Sequence, residues 1–281
     1  MAGKNKLVSP FIKWVGGKRQ LIDKISPHLP KQLSAYTYIE PFIGGGAVLF
    51  HLQPKKAIIN DFNAELINVY LTIRDDVEAL IAHLKSHENT SDYFYTIRSL
   101  DRLEGFKQKG LIDRASRFIF LNKTCFNGLY RVNRAGEFNT PFGRYKNPNI
   151  VNEPTLRAVS RYLNESEVSI FNGDYAQVLD LADRKSFVYL DPPYHPLSES
   201  SNFTGYIEGG WNESHQIRLK EACDDLTDRG IKFLLSNSSA PFILDLYQNY
   251  STTLVKANRA INSNGAGRGK VDEVLIRNYE L

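Results

Sequence analysis

The sequence predicts an α/β fold: a Rossmann-like, mostly parallel sheet interrupted by an inserted, mainly helical domain that carries a β-hairpin. Three observations predict it. Short apolar runs ending in glycine or polar turns alternate with helical patterns near the N-terminus, and the same alternation returns after residue 164. Between these regions, apolar side chains recur at three- and four-residue steps, the period of an amphipathic helix.

Along the chain, TYIEPF is a short buried strand running into the glycine turn GGG. AVLFHL then starts a helix, and KKAIIND is a second strand. Such a strand–turn–helix–strand unit implies parallel strands joined by a right-handed crossover. ELINVYLTIRDDVEALIAHL and ASRFIFLNKTCF follow as helices. RVNRAGEF is a hairpin, because N-R-A-G is turn chemistry between apolar residues. EVSIFNGD and KSFVYLDPPY have the apolar character of buried parallel strands. SHQIRLKEACDDLTDRG is a helix closed by glycine, with the strand IKFLLSN after it. STTLVKANR and EVLIRNYE form a last strand pair around INSNGAGRGK. The sheet domain is thus expected at 1–63 and 165–281, and the insertion at 64–164.

Composition narrows the class. Hydrophobic residues make up 42% and charged residues 23% of the 281, ordinary values for a soluble globular chain. No apolar run reaches membrane-spanning length, and MAGKNKLVSPFIKW lacks a secretory core, so an intracellular protein is expected. Cys125 and Cys223 stand far apart without metal-ligand spacing, which argues against a disulfide framework or a zinc site. Between Lys123 and Lys146 the bases Lys123, Arg131, Arg134, Arg144 and Lys146 face one acid, Glu137. This local excess equals the net +4 of the whole chain. A second acid-free stretch holds Lys256, Arg259, Arg268 and Lys270. Local basic density suits a polyanion, since each neutralised phosphate releases counterions; a solvated loop is the alternative on charge alone.

The sharpest string is DPPY, Asp191–Tyr194, directly after the apolar run FVYL. It belongs at a strand's carboxyl edge, where open α/β sheets place ligands. The Asp191 carboxylate and the Pro192 carbonyl together can accept both N–H bonds of an exocyclic aromatic amine such as adenine N6. Pro192 and Pro193 stiffen the turn, and Tyr194 offers a ring to stack on a base. A proline turn ending a strand is the structural alternative.

EPFIGGG, Glu40–Gly46, is a glycine turn that lets a ligand approach the backbone. Its spacing is not GxGxxG, which counts against a dinucleotide site. Asp61 closes the next strand where an acid can bind ribose hydroxyls, and Asp174 in FNGDY follows another strand as an acceptor or a turn cap. FIKWVGGK, Phe11–Lys18, combines a stacking face at Trp14 with a carboxylate partner at Lys18, and it is not a P-loop.

Taken together and in this order, KWVGGK, PFIGGG, NGLYRVNRAGEFNTPFGRY, DPPY, SNSS and RGKVDEVL resemble the α-class DNA adenine-N6 methyltransferases of the Dam and DpnII type, along nearly the whole chain. The resemblance implies a methyltransferase sheet, an inserted DNA-recognition domain and transfer from S-adenosyl-L-methionine to adenine N6 in duplex DNA, with GATC as the target. It implies that Trp14, Lys18, Phe42, Asp61, Asp174, Tyr175 and Asp191 border the cofactor, and that Asp191, Pro192, Pro193 and Tyr194 form the catalytic turn. Lys13, Leu129, Arg131 and Pro141 would read base edges while Phe126 wedges into the stack; an arginine fork on guanine is the commonest base contact. Two positions depart from the family pattern: Phe126 stands where tyrosine is common, and Lys123 where arginine is.

The expected chemistry is direct in-line transfer to an everted base. No Pro-Cys pair is present to supply the thiolate that cytosine-C5 methylation needs. No metal and no membrane is expected. The expected enzyme is a monomer, cytoplasmic, prokaryotic or phage-encoded, with a paired restriction endonuclease left open as a functional partner. Structured RNA as substrate, or a non-catalytic relative, are the competing readings. The loop HPLSESSNFTGYIEGGWNES is expected to order over bound DNA.

Overall fold

The computed structural model describes residues 4–196, 211–258 and 270–281. Helix α1 (Ile22–Ile25) precedes β1 (Thr37–Glu40), the glycine turn, α2 (Ala47–Leu52) and β2 (Lys56–Asp61). Five helices follow: α3 (Ala64–Asp75), α4 (Val77–Leu84), α5 (Ser91–Ser99), α6 (Leu111–Thr124) and α7 (Glu153–Glu165). The chain then returns through β3 (Glu167–Asn172), α8 (Tyr175–Leu179), β4 (Ser186–Leu190), α9 (Glu213–Asp228) and β5 (Lys232–Ser238). It ends with α10 (Pro241–Leu246), β6 (Ser251–Asn258) and β7 (Lys270–Arg277).

The seven strands lie in the order β3-β2-β1-β4-β5-β7-β6, as the sequence rhythm predicts in kind. Strands β1 to β5 are mutually parallel, and β7 runs antiparallel between β5 and β6. Side chains alternate across the sheet. Tyr38, Phe187, Tyr189, Leu234 and Leu275 enter one core with α3, α4, α6 and α7. Ile39, Val188, Leu190, Phe233, Leu235 and Ile276 enter the other, with α8, α9 and α10. The helices of 64–164 therefore lean directly on the sheet. A small core of their own, Phe94, Phe120, Leu121, Cys125 and Phe138, lies between α5, α6 and the following loop.

Topology fixes where a ligand belongs. From β1 the chain moves to β2 on one side, while β4 pairs with β1 on the other. The crevice outside the carboxyl ends of β1 and β4 is a switch point, the usual ligand site of an open α/β sheet. Among the described residues, no helix is long and apolar enough to cross a membrane, and no cluster of three or more His, Cys, Asp or Glu has metal-binding geometry. Both cysteines are buried, and burial pushes the Cys125 thiol up to about 12.

Two elements differ from expectation. Strand β3 is the sheet's edge strand, with Glu167, Ser169 and Phe171 exposed; an apolar run alone does not tell a central strand from an edge one. The predicted hairpin narrows to a single antiparallel bridge, Val132 with Phe138, beside a second bridge, Cys125 with Phe142. Its turn is the expected N-R-A-G. The Asn133 side-chain oxygen accepts from the amides of Ala135 and Glu137, both at 3.0 Å.

Asn122, fully buried on α6, ties the N-terminal segment to this region. Its side chain accepts from the Lys13 amide at 2.9 Å and donates to the Lys13 carbonyl at 2.7 Å and the Gly128 carbonyl at 3.1 Å. Replacing Asn122 by Ala strands three backbone groups, and a loss of about 3 kcal/mol is expected from typical costs of unpaired buried groups. Urea titration followed by circular dichroism measures it; an unchanged midpoint would contradict the tie.

Candidate active site

The turn after β4 carries Asp191, and Lys18 meets it from the other end of the chain. The Lys18 ammonium, on a residue 3% exposed, lies 2.7 Å from Asp191 Oδ1. It also donates to the Gly16 carbonyl at 2.6 Å and sits 4.6 Å from the centre of the Tyr194 ring. Each of its three protons thus has a partner: a carboxylate, a carbonyl and an aromatic face. Burial raises the Asp191 carboxyl to about 6, with Lys18 pulling the other way and Glu273 adding to the rise. Ending β1 beside it, Glu40 is buried, accepts from the Tyr38 phenol at 2.7 Å and is pushed well above the usual carboxylate range by burial.

The rest of the turn is fixed from two elements. The Pro193 carbonyl accepts from Gln216 of α9 at 2.9 Å, and Gln216 accepts from Asn237 of β5 at 3.0 Å. Asn237 also accepts from the His195 amide at 3.2 Å. The Tyr194 phenol donates to Glu273 of β7 at 2.8 Å. Proline backbones lack the donors to anchor themselves, so buried amide side chains from neighbouring elements do it.

Along the same sheet edge follow Phe42 after β1, Asp61 at the end of β2 and Asp174 after β3. The Asp61 carboxylate accepts from Gly44 at 3.0 Å and Asn63 at 2.9 Å, which locks the glycine turn onto β2. Gly44 has φ +48, and a Cβ there would come within 2.6 Å of the Trp14 ring. Trp14 therefore packs against this turn, with Tyr130 stacked at 5.7 Å. Asp174 caps α8 through the Ala176 amide and also takes Arg218 on both oxygens, at 2.7 and 3.0 Å; this pair holds its carboxyl low. Tyr175 lies 5.1 Å from Phe42, and Trp211 5.7 Å from Phe42 on an edge. The Tyr175 hydroxyl and the Trp211 indole nitrogen are buried without a hydrogen-bond partner among the described residues.

A second group forms beside the first. Phe126, half exposed, donates its amide to the Pro141 carbonyl, and Thr140 bonds the Leu129 carbonyl at 2.6 Å. Arg131 donates to Asn139 Oδ1 at 2.6 Å. Lys13 joins them through Asn122 and lies against Gly128, where a Cβ would sit 2.4 Å from its side chain. Lys13, Lys123, Tyr145, Asn147, Pro148 and Asn149 line a pocket of about 250 Å³. Burial and the nearby Lys13 bring the Lys123 ammonium down to about 8.

Of the residues singled out from the sequence, one set gathers at the sheet edge and the other on the 125–142 loop with Lys13. Sequence reasoning missed Glu40, Asn122, Gln216, Trp211, Arg218 and Glu273. Only Glu40 had a local signal, a carboxylate ending a buried strand. Arg259, Arg268 and most of the loop after His195 lie outside the described residues. Gly44→Ala is expected to lower stability by about 1–3 kcal/mol, because the turn must yield to Trp14. Urea titration followed by circular dichroism reads it, and a wild-type midpoint would contradict the packing argument.

Comparison with known proteins places the chain. The D12 class of N6 adenine-specific DNA methyltransferases matches it over residues 14–261. The Type II methyltransferase M1.LlaDCHI of Lactococcus lactis subsp. cremoris is 42% identical over 279 residues, covering 98% of each chain. The Type II methyltransferase M.MjaIII of Methanocaldococcus jannaschii is 43% identical over 290 residues, covering 97% of this chain and 99% of that one. The DNA adenine methylase of Escherichia coli K12 is 36% identical over 269 residues, covering 94% and 93%. With this sheet edge, this turn and these relatives, the chain belongs to the D12 class and is an adenine-specific DNA methyltransferase.

Proposed function

We propose that the enzyme methylates adenine N6 within GATC in duplex DNA, drawing the methyl group from S-adenosylmethionine and acting on a base rotated out of the helix. The observation that carries this reading is the Asp191 carboxylate held by Lys18 beside the Tyr194 ring. An adenine held in the stack cannot present N6 to a carboxylate and a stacking ring at once, so the base must leave the helix.

The residues at the sheet edge fit the methyl donor. Phe42 and Tyr175 offer aromatic surface, Asp61 ends β2 where an acid can hold ribose hydroxyls, and the Tyr175 hydroxyl, without a partner among the described residues, is free to bond a ligand. Asp174, already engaged with Arg218, retains lone pairs for an amine. When bound, S-adenosylmethionine supplies an electrophilic methyl on its sulfonium. Asp191 and the Pro192 carbonyl accept the two N6 protons and turn the nitrogen lone pair outward. Tyr194 stacks on the purine, and Trp14 and Lys18 shape the wall. As positive charge develops on N6, the Asp191 carboxylate stabilises it, and its raised proton affinity suits it to receive the proton released afterwards.

Residues 64–164 serve as the recognition domain in this reading. Lys13, Leu129, Arg131 and Pro141 contact base edges, and Phe126 enters the stack. Support comes from Phe126, Leu129, Arg131 and Pro141 sharing one partly exposed loop with Lys13 beside it, and from the resemblance of that string to the Dam and DpnII type. The Type II names of two relatives support a functional link to a restriction endonuclease. The unsymmetrical contact set suits a cytoplasmic monomer acting on one strand at a time.

Labelled S-adenosylmethionine with GATC duplexes, and with duplexes in which that adenine is changed, tests the reading. Label is expected as N6-methyladenine in the first alone, and label in a structured RNA competitor instead would overturn the duplex substrate. Asp191→Ala is expected to abolish transfer and leave DNA and cofactor binding measurable; near-normal turnover would remove Asp191 from the mechanism.

A further inference from the structure

Tyr194 is anchored more firmly than a stacking ring requires. Its phenol donates to Glu273 Oε2 at 2.8 Å, and Glu273 is itself 8% exposed. Stacking alone needs only the ring, and a free phenol could be left to water. Glu273 stands on β7, in register with Ser238 of β5 and Val255 of β6, so its backbone is held on both sides. Alternation along β7 sends Val274 and Ile276 into one core and places Glu273 on the face shared with Leu275 and Tyr189.

A carboxylate in that position is costly. It lies close enough to Asp191 to raise the latter's proton affinity, and among the described residues the cluster holds one ammonium, Lys18. Glu40 from β1, Tyr189 from β4 and Tyr194 are the other described titratable groups around Asp191 on the elements packed against it. A buried unpaired carboxylate is a poor source of stability, and a glutamine could accept the same phenol bond.

We propose that Glu273 is a positioning residue for methyl transfer, fixing the far end of the Tyr194 ring through its phenol while Lys18 holds the ring face. The proposal rests on Tyr194 and Asp191 forming the adenine site. The ring is then held at two points: the phenol by Glu273, the face by Lys18. A ring whose far end is free to swing about the Cα–Cβ bond would meet the target base at varying positions and lose the alignment that in-line transfer demands.

Single-turnover transfer on a cognate duplex is measured for wild type, Glu273→Gln, Glu273→Ala, Tyr194→Phe and the double variant Tyr194→Phe with Glu273→Ala. Glu273→Gln keeps the acceptor and loses the charge. It is expected to stay within about threefold of wild type, because the glutamine still accepts the phenol bond. Glu273→Ala and Tyr194→Phe are each expected to slow transfer by about thirtyfold or more, with the double variant little worse than either, as coupled groups behave. Cofactor affinity should be unchanged throughout.

Losses that multiply in the double variant, a Glu273→Gln rate as low as that of Glu273→Ala, or a wild-type rate in Glu273→Ala would each overturn the proposal. Binding of a duplex with 2-aminopurine at the target position, without methyl donor, reads the ring directly. Glu273→Ala is expected to change the quenching of the everted base, and identical emission would again overturn the proposal. If the wild-type enzyme everts this base yet methylates another position, the site assignment fails while the Tyr194–Glu273 coupling is still read from the emission.

Discussion

A carboxylate taken out of water at the edge of a parallel sheet needs a counter-charge, and here that charge comes from the far end of the chain. Lys18 reaches Asp191 only because the N-terminal segment follows a fixed path: Asn122 pins Lys13, Trp14 lies against Gly44, and Gly16 turns its carbonyl to the ammonium. The same path carries Lys13 to the loop of Phe126 and Arg131. One ion pair therefore depends on, and connects, the chemical edge and the neighbouring loop. Its geometry also settles what Lys18 does in the free protein. With three partners satisfied, its ammonium serves Asp191 before any cofactor.

The sheet explains the rest of the placement. Parallel strands bring every carboxyl end to one edge, so residues scattered from Glu40 to Asp191 become neighbours. The antiparallel β7 brings its amino-terminal half to the same edge, and with it Glu273 opposite Ser238 of β5. Helices α3, α6 and α7 rest on the sheet face through shared apolar residues, so the loop after α6 is held rigidly relative to β1 and β4. Precision of this kind matters for group transfer, where small displacements of reacting groups cost rate.

Much of this was legible in the sequence because it is local. The strand–glycine–helix unit, the turn after FVYL and the N-R-A-G turn are each written in a few consecutive residues. Lys18 could be recognised as a carboxylate's partner, but Asp191 as that partner required the fold. Asn122, Gln216 and Glu273 look like surface residues inside amphipathic runs; their burial is decided by elements distant in sequence. Strand β3 carries an apolar run and still lies at the edge, since burial depends on neighbours the run does not encode. Asp174 shows both alternatives at once, capping α8 while paired with Arg218.

The most direct test removes the ammonium and keeps the carboxylate. The single-turnover rate of methyl transfer, followed against pH in wild type and in Lys18→Met, reports the ionisation of Asp191 in place. In wild type the rate should rise with pH through about 6, where the Asp191 carboxyl ionises. Without Lys18 the charged form loses its partner, so the limb should move to higher pH and the plateau should fall. A folded Lys18→Met enzyme with the wild-type limb and plateau would contradict the account.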